Sequence, residues 1–175
     1  TAYEIYQCDW SSDVCSSDLI ALVAAGAFSA LAGVTYQLLQ RDLKRLLAFG
    51  TAENAGIVAL GLGASLVFAA QGRPVWASVA FAGALLHTLN HAIFKSLLFL
   101  AAGVIEQVAG TLDLNRMGGL LRRMPWTGGA FLVGAMAIAG LPPLNGFASE
   151  WLTLQALLHA AAAGGVGIAL AALGG

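Results

Sequence analysis

The sequence has few charged residues. Only 10% of its 175 residues are Asp, Glu, Lys or Arg, whereas 59% are hydrophobic, and soluble globular domains carry roughly 25% charged residues. A water-soluble fold cannot cover its surface with so few charges, and a disordered chain would show low hydrophobicity instead. The formal net charge is −1, so no basic field indicates nucleic acid as a partner. The composition favours a protein whose solvent is the lipid bilayer.

Cysteine is nearly absent, and both cysteines lie in an atypical N-terminal stretch. Residues 1–19 contain Cys8, Cys15 and four of the nine acidic residues, and they show neither helical nor strand periodicity. Their second half, DWSSDVCSSDL, resembles the in-frame translation of a short-read sequencing adapter, so we expect residues 1–19 to be non-native. The remaining chain has eight basic and five acidic residues, a net charge of +3 and no cysteine. It therefore offers no disulfide and no thiolate metal site.

Long uncharged runs dominate the rest of the sequence and predict an all-α, polytopic bundle of transmembrane helices. A helix needs about 20 predominantly apolar residues to cross the hydrocarbon core. The runs at 20–39, 54–70 and 76–105 predict three spans, of which the second is short and the third must tilt or protrude. A last apolar run begins at 164 and stops at 175. We expect the chain to be truncated at both ends.

A further predicted span, at 126–160, is interrupted. The residues Pro142-Pro143-Leu144-Asn145-Gly146 lie near its middle, and a proline removes a backbone donor and clashes with the preceding turn. Neither half is long enough to cross the membrane alone, so the two halves should form one discontinuous helix. Backbone that is broken at membrane depth must be buried in protein or line a wet cavity. Pro142, Pro143 and Gly146 therefore mark a predicted functional region.

The Lys and Arg residues between the runs predict the orientation. The first connector carries three of them, the second one and the third three, in chain order Arg41, Lys44 and Arg45, then Arg73, then Arg116, Arg122 and Arg123. The excess of Lys and Arg in short loops marks the cytoplasmic side. The first and third connectors should therefore face the cytoplasm.

Ionisable residues inside the apolar runs are the main candidate site. A charge at the bilayer centre costs roughly 2.5–3.5 kcal/mol on insertion scales, so it usually has a functional reason. His87, His91 and Lys95 are spaced i, i+4 and i+8 and share one helix face. Such a row can pass protons along a hydrated path, and its simpler alternative is a structural polar seam between helices. Glu106 either extends the row or is the solvated end of the helix.

Two further carboxylates complete the candidate proton path. Glu150 follows the predicted break by one turn, where the N-terminus of the second half-helix can stabilise a carboxylate. Its simpler interpretation is a first-turn glutamate that favours the helix dipole. Glu53 is weaker, because it opens the second predicted span and helix-start acids are common.

The sequence predicts no metal and no cofactor. His87 and His91 have the spacing of a metal pair, but the glutamate of the H-E-x-x-H motif and a clear third ligand are missing. There is neither a phosphate-binding glycine loop nor a Cys/His cluster, so we expect no catalytic redox site in this chain. An intramembrane hydrolase is disfavoured, because no Ser or Asp is placed to act with either histidine.

Four motifs carry a family resemblance, namely QRDLKRLLAFGTAENAGI, HTLNHAIFKSLLFLAAGVI, MGGLLRRMP and GLPPLNGFASEWLTLQALL. They resemble the antiporter-like subunits of complex I, Mrp antiporters and membrane-bound hydrogenases, with hydrogenase and formate hydrogenlyase subunits closest. The resemblance implies the second of two inverted five-helix repeats. It also implies that His87, His91, Lys95 and Glu150 belong to a proton path, although many members carry Lys at the position of Glu150.

The resulting hypothesis is a fragment of a proton-conducting subunit of the bacterial or archaeal inner membrane. Other membrane subunits and a peripheral redox arm would be its partners, and the redox chemistry would lie in them. Two alternatives stay open at this point. One is a Na+/H+ antiporter subunit of the Mrp type, because both ions use buried carboxylates and lysines. The other is a structural membrane scaffold whose charged residues only lock helices together.

Overall fold

Helices make up the regular structure of the described chain. The computed structural model describes residues 13–162, with side chains from 18 to 159. It contains α1 (Asp13–Leu38), α2 (Leu43–Ala70), α3 (Pro74–Ala109), α4 (Leu120–Arg123), α5 (Pro125–Ile138) and α6 (Asn145–Ala162). Three segments are long and apolar enough to cross a membrane, namely Asp18–Leu38, Leu43–Ala70 and Pro74–Ala109. The prediction of an all-α, polytopic fold is confirmed.

Two predictions fall largely outside the described residues. The adapter-like segment at 1–19 is described only from Asp13, where α1 already begins. The apolar run at 164–175 lies outside the described residues altogether. Both therefore stay predictions.

The predicted start of the second span was wrong. α2 begins at Leu43 rather than at residue 54, because Asp42 caps it: the Asp42 carboxylate accepts a hydrogen bond of 2.9 Å from the backbone N–H of Arg45. A capping side chain of this kind satisfies one of the free donors of the first turn. Glu53 consequently lies well inside α2, and its interpretation as a helix-start acid is also wrong.

Glycines let α1 and α2 pack with their backbones in contact. A Cβ atom added at Gly56 would lie 2.5 Å from the Ala30 backbone nitrogen, and one added at Gly33 would lie 2.5 Å from the Glu53 nitrogen. No side chain fits in these places. Close approach through small residues is the usual way in which helices associate in lipid.

Large apolar side chains point away from the bundle. The exposed fractions of Phe28, Leu100 and Trp126 are 74%, 73% and 91%, whereas His87 is fully buried. Water would oppose this arrangement, because exposed apolar surface is unfavourable there, but lipid tails accept it. The protein is therefore a membrane protein.

The first and third connectors meet at one end of the bundle. The Leu43 backbone N–H donates to the Leu112 carbonyl oxygen at 3.0 Å, and the Leu114 N–H donates to the Arg41 carbonyl oxygen at 2.8 Å. We refer to this end, which carries the connectors at 39–42 and 110–124, as the basic end. The short second connector, at 71–73, lies at the opposite end of α2 and α3.

The break in the discontinuous helix begins earlier than predicted. α5 ends in a Schellman motif, in which Gly140 N–H donates to the Ala137 carbonyl oxygen and Leu141 N–H donates to that of Met136, both at 3.3 Å. Gly140 adopts a φ of +61°, which glycine tolerates best. The break spans 139–144 instead of 142–146.

Pro142 and Pro143 lie within this break, but Gly146 does not. Gly146 is buried in the first turn of α6. A Cβ atom there would collide with the Ala137 carbonyl oxygen of α5. Its role is to let the two half-helices approach each other, rather than to turn the chain as predicted.

Candidate functional site: a buried polar network

His87 is the centre of a network that joins three helices. It lies on α3 and is fully buried. Its Nε2 atom lies 3.0 Å from Asn54 Oδ1 on α2, and its Nδ1 atom lies 3.0 Å from Ser149 Oγ on α6. Both ring nitrogens are thus hydrogen-bonded, as buried polar groups require.

The partners of His87 determine where its proton lies. The side-chain amide of Asn54 donates to the Gly50 carbonyl oxygen at 2.7 Å, so Asn54 Oδ1 is the atom that accepts from His87 Nε2–H. In the neutral ring, Nδ1 is then the acceptor and receives the Ser149 hydroxyl proton. If His87 takes up a second proton, Nδ1–H donates to Ser149, and the hydroxyl can turn to the Gly146 carbonyl oxygen, 2.9 Å away.

A second polar link lies one turn from the first. The Asn90 side-chain amide donates to the Asn145 carbonyl oxygen at 2.8 Å, and the Asn145 side-chain amide donates back to Asn90 Oδ1 at 3.1 Å. Asn145 is the first residue of α6. This reciprocal pair holds the start of the second half-helix against α3.

The predicted row of His87, His91 and Lys95 lies on the inner side of α3. The His87 and His91 rings are nearly parallel, with centroids 6.5 Å apart, and Lys95 is only 6% exposed. Within the described residues, neither His91 Nε2 nor Lys95 Nζ has a hydrogen-bond partner, although both atoms are buried. Unsatisfied buried groups are rare and call for a functional or hydration-based explanation.

Lys95 lies deep in the bundle. At 1.5 Å per residue, it is about 21 Å from the end of α3 at Ala109 and about 31 Å from Pro74. Glu53 of α2 lies close enough for its charge to interact with that of Lys95. The structure thus brings this weaker candidate into the same region as the row.

Glu106 does not extend the row. Its side chain is 45% exposed and forms an ion pair with Lys44 at the basic end. Its interpretation as the solvated end of the helix is therefore the one that the geometry supports.

Glu150 lies beside the break, as its sequence position suggests. It is half-buried on α6, and its carboxylate contacts Gly140, the left-handed residue of the break. It also lies within electrostatic range of Glu53. Two carboxylates in a medium of low dielectric constant repel each other, so either group can relieve the repulsion by holding a proton.

Sequence reasoning missed the uncharged members of the network, which are Asn54, Asn90, Asn145 and Ser149. Asn90 could have been found, because it follows His87 by three residues and shares its helix face. Asn54 and Ser149 are adjacent in sequence to Glu53 and Glu150 but point elsewhere. Only the packing of α2 and α6 against α3 shows that they meet at His87.

The described residues hold no group of three or more His, Cys, Asp or Glu side chains in a metal-binding arrangement. The network instead consists of groups that donate, accept or carry protons. Such a constellation, in helices that cross a membrane, defines the class of protein as an ion-translocating membrane subunit.

Comparison with known proteins agrees with this class. The family described as NADH:quinone oxidoreductase/Mrp antiporter, TM matches residues 11–173. The chain therefore belongs to this transmembrane family, and the resemblance inferred from the sequence motifs is confirmed.

Individual relatives include subunits of hydrogenases and antiporters. The chain is 49% identical to hydrogenase-4 component B of Escherichia coli (strain K12), over 87% of this chain and 23% of that protein. It is 46% identical to formate hydrogenlyase subunit 3 of the same organism, over 78% and 22%. It is 42% identical to a Na(+)/H(+) antiporter subunit of Alkalihalophilus pseudofirmus, over 79% and 18%. The chain spans about a fifth of the length of these relatives.

Proposed function

We propose that this chain is part of a proton-conducting subunit of a redox-driven complex in the inner membrane of a bacterium or archaeon. Redox chemistry in a peripheral arm, of a hydrogenase, formate hydrogenlyase or NADH:quinone oxidoreductase, would drive protons through it. The similarity to hydrogenase-4 component B and formate hydrogenlyase subunit 3 supports this assignment.

One observation carries the proposal. Lys95 and His91 are buried and unpartnered within the described residues, and they lead directly to His87 and its bonds to Asn54 and Ser149. A structural seam would satisfy its polar groups, because each unsatisfied group costs stability. Groups that must bind and release protons have to keep a free position, and this row does.

The network offers a continuous sequence of proton-carrying groups across three helices. From the side of the basic end, Lys95 is followed by His91 and then His87 along α3. Ser149 next connects His87 to α6, and Glu150 is the following residue, at the break. Glu53 supplies a carboxylate between α2 and this row.

The orientation can be tested by cysteine labelling in the intact protein. Because Lys and Arg are concentrated at the basic end, a cysteine at Gln71 should react with an impermeant maleimide from the periplasm. A cysteine at Asn115 should react only after permeabilisation. Cys8 and Cys15 are replaced by Ser in both variants. Labelling in the reverse pattern would contradict the proposed orientation.

The identity of the ion can be tested on the whole complex in inverted vesicles. Supplying the electron donor should acidify the vesicle lumen at the same rate in sodium and in sodium-free potassium buffer, as read by a pH-sensitive dye. The similarity to the Na(+)/H(+) antiporter subunit of Alkalihalophilus pseudofirmus favours the second candidate, a sodium/proton antiporter. Proton movement that requires a sodium gradient would support that candidate, and complete absence of ion movement would support a scaffold.

A further inference from the structure

Gly50 of α2 lies beside two polar side chains from neighbouring helices. A Cβ atom added at Gly50 would lie 2.7 Å from Gln37 Oε1 of α1 and 2.8 Å from Lys95 Nζ of α3. The two atoms therefore approach the same point, which any other residue at position 50 would fill. The missing side chain creates a small polar gap between three helices.

Both atoms at this gap are buried, and neither has a hydrogen-bond partner within the described residues. Gln37 Oε1 can only accept a hydrogen bond, whereas the ammonium group of Lys95 can only donate. The two groups are complementary, yet they are not bonded to each other. A buried water satisfies such groups when the space is polar and offers at least two partners.

We propose that Gln37 is a positioning residue, which holds Lys95 through a water molecule bound in the gap at Gly50. The proposal rests on the proposed function, because it assigns Lys95 a proton that must be exchanged. Gln37 does not itself carry the proton. It fixes the water against which the ammonium group exchanges it.

The gap is continuous with the network around His87. The Gly50 carbonyl oxygen accepts the hydrogen bond of the Asn54 side chain, and Asn54 in turn accepts from His87. The gap thus lies one hydrogen-bonded residue away from the centre of the site. It also lies towards the basic end, because Gly50 is two turns from the start of α2 and Gln37 is in the last turn of α1.

Gly50→Ala tests the gap directly. The new methyl group meets only the ends of two flexible side chains, so they can move aside and the helices can keep their packing. Displacing the reacting group by about 1 Å can cost two orders of magnitude in rate, and we expect proton translocation by the whole complex to fall about tenfold or more. Gly103→Ala is the matched control, because a Cβ atom at Gly103 has nothing within 4 Å.

Replacing Gln37 separates positioning from packing. Gln37→Met keeps the length of the side chain but removes the acceptor, and it should lower translocation. Gln37→Glu restores an acceptor oxygen and should translocate faster than Gln37→Met. Because both changes disturb one water, Gln37→Met combined with Gly50→Ala should be no slower than the worse single variant.

The outcomes distinguish this inference from the proposed function. If Lys95→Ala blocks translocation while Gly50→Ala and Gln37→Met behave like the unmodified protein, only the role of Gln37 and the gap is overturned. If Lys95→Ala itself translocates normally, the proposed function fails. Equal rates for Gln37→Glu and Gln37→Met would also overturn the positioning role, because packing alone would then explain the loss.

Discussion

Replacing Lys95 by alanine should reduce proton translocation by the assembled complex about a hundredfold, which is within the range for losing a positioned acid–base group. The Lys95 ammonium group is buried and makes no hydrogen bond within the described residues. Its removal therefore leaves no partner unsatisfied, and the bundle should remain folded. The measurement is acidification of inverted vesicles, with subunit content checked by blotting.

Two variants control this experiment. Lys95→Arg keeps the positive charge but holds its proton too firmly to release it, so it should restore little of the flux. Ser96→Ala changes the next residue, which is exposed and bonded only to the Ala92 carbonyl oxygen, and it should translocate normally. Normal flux through an assembled Lys95→Ala complex would leave the row of ionisable residues with a packing role alone.

Glu150→Gln should likewise block translocation without preventing assembly, with a loss of about tenfold or more. Glutamine has nearly the same shape and can occupy the position against Gly140, but it cannot exchange a proton. Glu150→Lys should retain more activity than Glu150→Gln, because it keeps a titratable group beside the break. The same vesicle assay measures all three rates.

Glu106→Gln is the matched control for Glu150. It makes the same chemical change in α3, but at an exposed carboxylate of the basic end that pairs with Lys44. Loss of this surface ion pair should have little effect, since such pairs contribute only about 0–1 kcal/mol. If Glu150→Gln pumps as fast as Glu106→Gln, Glu150 carries no proton and the break needs another explanation.

The sequence predicted the groups that the membrane makes conspicuous. His87, His91 and Lys95 stand out because an apolar helix should contain no such residues, and their spacing alone places them on one face. The break was recognisable for a similar reason, since two consecutive prolines cannot continue a helix. In both cases the signal is local, and the structure needed only to place it.

The missed features depend on contacts between helices. Glycine is so frequent in this chain that nothing local distinguishes Gly50 from Gly103, yet only Gly50 faces Gln37 and Lys95. Asn54 and Ser149 are ordinary polar residues until α2 and α6 pack against His87. The error in the start of α2 has another cause, because the basic residues after Asp42 were assigned to a loop although an interfacial helix turn accommodates them.

The hydrogen bonds between the first and third connectors have a mechanical consequence. α2 and α3 are fastened to each other at the basic end by the backbone bonds of Leu43 and Leu114, and at the other end by the turn at 71–73. They form a closed frame that resists sliding. α6 joins this frame through exchangeable side-chain bonds, at Asn90 and Ser149, and through the hinge at 139–144. A displacement that accompanies proton transfer would therefore be carried by α6, as a lever moving against a fixed support.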